Sequence, residues 1–143
     1  MGNKITEEQR REQEEAARRA EEARRAAILS QISARQSEVS LLTSKKTALV
    51  NSKTNLTNSI QKWTDAKIRF EEDNVAKNVV VKDIFEGSTA ETVQKKNANR
   101  ITKMDAKMTK AVSVKDGITT QVSAVTGRIN TLNYEISGLR SQL

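Results

Sequence analysis

Glutamates and arginines alternate through residues 6–27, TEEQRREQEEAARRAEEARRAA. Glu7 and Arg11, Glu14 and Arg18, Glu15 and Arg19, and Glu21 and Arg25 each stand four residues apart. Carboxylates grouped like this could serve as general acid and base, but only in a cleft of low dielectric. On a solvated helix the same spacing does something else. Each acid placed four residues before a base adds about 0.2–0.5 kcal/mol of helix stability. The residue types that would extend the chemistry are missing, since the chain has no His and no Cys. Neither a Ser-His nor a Cys-His pair can be built, and zinc would have to be held by carboxylates alone. A thin helical protein has little volume for an enclosed cleft, so the expectation is a non-enzyme without cofactor or metal.

Gly2 and Thr6 in MGNKIT fit the N-myristoylation pattern, which acts only in a cell that has the modifying enzyme. The plainer reading is a start followed by polar residues. No apolar h-region follows, so a Sec-type signal peptide is not expected. No run approaches the apolar length of a membrane span, and stable membrane insertion is not expected either.

The elements that position these charges follow from composition and periodicity. At 143 residues the chain has a single-domain length, with 30% charged residues, 3% aromatics and no Pro. That mixture belongs to long helices and coiled coils. Thr6 is the expected N-cap, with Gln9 completing a capping box. Seven acids and seven bases lie within residues 1–27, so this arm is neutral and its non-polar residues are alanines. It reads as a solvated helical extension, and its interleaved glutamates cancel the field that would attract phosphates.

Downstream the apolar residues fall into register. One row runs Ile28, Arg35, Leu42, Leu49, Leu56, Trp63, Phe70, and its companion runs Ile32, Val39, Lys46, Lys53, Ile60, Lys67. Nine of these thirteen positions are apolar. The lysines either lay their stems along the seam or meet something acidic. A second tract alternates steps of three and four without a break. It comprises Ile101, Met104, Met108, Ala111, Lys115, Ile118, Val122, Val125, Ile129, Leu132, Ile136, Leu139 and Leu143. Gly117, Gly127 and Gly138 lie off this stripe, weakening the helix while permitting close approach. Continuous heptads of this kind signal helix–helix packing.

The tracts match in length, roughly 65 Å each at 1.5 Å per residue. Val79-Val80-Val81 and Gly87 separate them. The expected fold is all-α, an antiparallel two-helix coiled-coil hairpin with a long charged N-terminal extension. Its parts are an arm over 1–27 and a hairpin over 28–143. In the hairpin, helix one covers about 28–76, the turn about 77–89 with Ser88 or Thr89 as cap, and helix two about 90–143. One seam with charges at four positions of its first helix buries little apolar surface. The missing surface has to come from another copy or from a different helical protein.

The connection reads Phe85-Glu86-Gly87, followed by Ala90. It resembles the W-x-G turn of small helical-hairpin proteins in the type VII secretion systems of Gram-positive bacteria. More closely, residues 28–143 are similar to the helical accessory proteins that accompany LXG toxins. Their pattern is a first coiled-coil half, an aromatic-x-Gly-x-x-Ala turn, and a second helix ending in I-x-x-L repeats. QISARQSEVSLLTSKKTAL and RINTLNYEISGLRSQL carry the two halves here. Phe85 stands for the aromatic, Gly87 for the glycine and Ala90 for the small residue under the turn, with Phe replacing Trp as a departure. The Y-x-x-x-D/E and F-x-x-x-D export signals are unmatched, since Gly138 follows Tyr134 and Asn74 follows Phe70 at that spacing.

What the resemblance implies is an adaptor or targeting chaperone in the bacterial cytoplasm, with co-export alongside the toxin as a variant. Its partner is the helical N-terminal domain of an LXG-type toxin, joined in one version by a second small helical accessory protein. Leu42, Leu49, Leu56, Trp63 and Phe70 on helix one form the expected partner face or internal seam. On helix two the counterparts are Ile118, Val122, Val125, Ile129, Leu132, Ile136 and Leu139. The alternative is a structural coiled-coil homo-oligomer. Residues 28–143 hold eighteen bases against eleven acids, dispersed along both helices. With so few aromatics to stack bases, nucleic acid is not expected as a partner.

Overall fold

A computed structural model describes residues 6–84 and 88–143, and side chains outside 74–90. The chain is an all-α helical hairpin of two helices packed against each other, α1 (Glu7–Ile84) and α2 (Ser88–Arg140). Phe85 and Gly87 of the turn motif lie outside the described residues. So does Gly2. Ala90 falls within α2, but its side chain is outside the described set, as are those of Ser88 and Thr89.

The start of α1 is a capping box. The Thr6 amide donates to Gln9 Oε1 at 3.1 Å, and the Gln9 amide donates to Thr6 Oγ1 at 3.3 Å. Two otherwise orphaned donors are thereby satisfied. No break separates residues 7–27 of the arm from helix one, because α1 runs continuously from Glu7. It also runs past residue 76, so the three valines at 79–81 are helical rather than part of the connection. β-Branched residues cost a helix only a few tenths of a kcal/mol each. Propagation from a long preformed helix offsets that.

Threonine is the other residue that helices tolerate poorly, and this chain has many. Its hydroxyls bond within the helix: Thr54 donates to the Val50 carbonyl at 3.1 Å, Thr57 to Lys53 at 2.8 Å, and Thr64 to Ile60 at 2.9 Å. Thr102, Thr109 and Thr119 do the same on α2. Satisfied one turn back, the hydroxyls do not compete for the backbone elsewhere.

The chain divides into two units. The first joins α1 up to Lys45 with Val125–Leu143, and it holds every buried side chain among the described residues: Ile28, Ile32, Val125, Leu132 and Ile136. Ile28, Ile32 and Ile136 form one cluster, with Val39 and Leu139 against it. Leu132, 1% exposed, is the most enclosed. Arg35 Nε donates to Glu135 at 2.7 Å, and Arg128 makes a fork to Glu38 at 3.0 and 3.3 Å. Partners on α2 fall in number as those on α1 rise, as antiparallel helices require.

In the second unit, Lys46–Ala124, the described seam is half-buried except at Trp63. Leu49, Leu56, Ile60 and Phe70 on α1, and Met104, Met108, Ile118 and Val122 on α2, are all intermediate in exposure. None of its described side chains is fully buried.

Candidate protein-interaction surface

The residues expected on the seam sort by unit. In the first unit Val125, Leu132 and Ile136 are buried, while Leu42, Ile129 and Leu139 are half-buried. In the second, Leu49, Leu56, Phe70, Ile118 and Val122 are half-buried, and Trp63 is 40% exposed. A two-helix seam encloses a side chain only where flanking residues close over it. Around Trp63 they do not.

The charged seam residues find different solutions. Arg35 meets Glu135 across the helices. Lys67 is hydrogen-bonded to Asp105 on α2 and paired with Glu71 at 3.7 Å on its own helix. The hydrogen bond to Asp105 outweighs partial desolvation and pushes the Lys67 ammonium above its usual value, with the charges of Asp105 and Glu71 adding to it. Lys46, Lys53 and Lys115 are half-buried along the stripe, the arrangement expected of stems lying on apolar surface.

The arm does more than remain solvated. Its glutamates and arginines are exposed, but three of the four expected pairs form: Glu7–Arg11 at 3.7 Å, Glu15–Arg19 at 2.6 Å and Glu21–Arg25 at 3.1 Å. Glu14 instead faces back to Arg10 at 3.9 Å, and Arg18 faces forward to Glu22 at 3.8 Å. Exposed pairs of this kind contribute little. The last turn of the arm is different. Arg24 donates to the Gln142 carbonyl at 3.1 Å and Arg25 to the Leu143 carbonyl at 3.0 Å. Carbonyls beyond the end of α2 lack helical partners, and the negative end of the helix dipole favours cations there. Glu21 holds both guanidinium groups, at 2.8 and 3.1 Å. The hydrogen bond from Arg24 is the main cause that lowers its carboxyl to about 2, against an opposing desolvation and with Arg25 adding to the lowering.

At the centre of the second unit lies an open groove of about 180 Å³, lined by Leu56, Ser59, Ile60, Trp63, Lys107, Met108 and Ala111. The Lys107 ammonium sits over the indole at 6.0 Å from its centroid, a cation–π distance. Leu56 and Trp63 are thus brought together with α2, and Met108 and Ala111 complete the site. Val112 and Val114, 39% and 57% exposed, were not among the expected partner residues. Neither falls on the heptad rows, so periodicity offers no signal for them. Among the described residues, no helix is long and apolar enough to cross a membrane, and no cluster of three metal-ligating side chains occurs. No protein-family model, curated protein or solved structure matches the chain.

Proposed function

We propose that this chain is a non-enzymatic adaptor, a targeting chaperone that binds the helical N-terminal domain of an LXG-type toxin and supports its type VII export. One observation carries the partner-protein part of the reading. The second unit has a long apolar stripe on both helices and no fully buried side chain among those described. Half-buried Leu, Ile, Met and Phe leave unused hydrophobic stabilisation of about 25 cal/mol per Å² still exposed. A helix laid along the seam recovers it, as in helix-in-groove recognition. The identity of the partner rests on the resemblance of the two heptad halves and the Phe85-Glu86-Gly87 connection to the LXG accessory proteins.

The test is size-exclusion chromatography with light scattering, on the chain alone and after co-expression with the products of neighbouring genes. The expected result is a complex with a larger toxin-like protein that disappears in Leu49→Glu/Leu56→Glu. Circular dichroism of that variant alone separates lost binding from lost folding. A homo-oligomer indifferent to the neighbours replaces the adaptor with a structural coiled coil.

A further inference from the structure

The Trp63 groove has an electrical character that the overall charge conceals. On α2, Lys103, Lys107 and Lys110 are spaced by four and three residues, which places them on one face. Lys107 lines the groove directly. On α1, Lys62 follows the groove residue Ser59 by three and so shares its face. All four lysines are exposed. The nearest acid along α2, Asp105, is turned to Lys67 instead.

We infer that this groove docks an amphipathic helix whose apolar ridge is flanked by carboxylates. The inference rests on the partner-protein reading above but not on the partner being a toxin. The groove supplies the apolar half of the recognition through Leu56, Ile60, Trp63, Met108 and Ala111. The lysine rim supplies the other half, steering an acidic helix in and rejecting a basic one by like-charge repulsion. A single half-exposed Trp flanked by Leu, Ile and Met suits an inserted aliphatic side chain. Nucleic acid fits less well, because the Lys107 ammonium already covers the indole face on which a base would stack. An indifferent hydrophobic partner fits less well too, since the four lysines outnumber the acids beside them, Asp65 three residues after Lys62 and Asp105 two before Lys107.

The chain contains one tryptophan, so its fluorescence reports on this groove alone. The experiment titrates the full chain with a stapled helical peptide carrying Leu at alternating steps of three and four and Glu on both flanks. A peptide with the same Leu ridge and Lys flanks is the control, beside a short DNA duplex and phosphatidylserine vesicles. The expected result is a saturable blue shift with the Glu peptide and none with the Lys peptide. The affinity should fall at least about tenfold in Lys103→Glu/Lys107→Glu/Lys110→Glu, whose helicity is unchanged. Arg11→Glu/Arg18→Glu/Arg19→Glu, an equal charge change in the arm, should leave it unaltered. Equal binding of both peptides, no binding of either, or full affinity in the lysine variant overturns the inference. So does the same shift with DNA or vesicles, which assigns the rim to phosphates, or with the chain alone on concentration, which assigns the groove to a second copy. Co-expression separates the two readings. A neighbour-encoded partner held equally by the lysine variant leaves the adaptor standing and removes the groove. Binding of the Glu peptide without any such partner does the reverse.

Discussion

Glu21 illustrates how much one side chain can organise. It receives hydrogen bonds from Arg24 and Arg25, and those arginines hold the last two carbonyls of the chain. Its carboxyl is lowered from 4.5 to about 2. A depressed acid contributes stability fully above its unfolded value and loses it as pH falls through the folded one. The clamp should therefore persist at pH 5 and open between about 4.5 and 2. Carbon-detected NMR titration of Glu21 checks this, and Glu21→Gln should release the Arg24 and Arg25 resonances at neutral pH. Lys67 carries the opposite sign. Its raised value makes its contribution complete at neutral pH and lost only in strong alkali, a loss that Asp105→Asn should abolish in an alkaline melt. The four acid–base pairs of the arm were legible as a spacing, but the rotamers of Glu14 and Arg18 were not. Either neighbour at one turn serves an exposed charge almost equally well.

At the scale of the helices, heptad spacing identified almost the whole seam. Every seam residue of 101–139 is buried or half-buried, as are all but Trp63 on the α1 rows. How deeply each is buried was not legible. Leu132 and Leu49 occupy like positions in their stripes, yet only Leu132 is enclosed. Leu132→Ala should cost about 3 kcal/mol, as large-to-small changes in closed sites do, and Leu49→Ala markedly less. Chemical denaturation measures both. The off-stripe glycines also separate local rule from packing. A Cβ built at Gly117, Gly127 or Gly138 meets nothing within 4 Å, so the close approach they permit is not used within the chain. Changing each to Ala should raise stability by roughly 1 kcal/mol through helix propensity alone. Thermal melts showing no gain at one of them would mark a helix distorted there.

For the molecule as a whole, the surface is the informative quantity. In the second unit none of the described side chains is fully buried. A chain with a unit left that open is expected to melt at higher temperature in complex than alone, in proportion to the logarithm of partner concentration. Scanning calorimetry of the co-purified complex against the free chain reads that shift directly.

Taken alone, the sequence determined the class of fold, the seam, the capping box and the lack of any His or Cys chemistry. Each of these depends on residue type and on spacing along one helix, which the chain carries locally. Tertiary structure decided the rest. It paired Lys67 with Asp105 and Arg35 with Glu135, brought Arg24 and Arg25 to the end of α2, and set Lys107 over Trp63. It also concentrated the buried side chains, among the described residues, in one unit and left the other's described seam half-closed. Those outcomes depend on the register between the two helices, which pairs residues 38 to 118 apart in sequence, and periodicity within each helix is blind to that register.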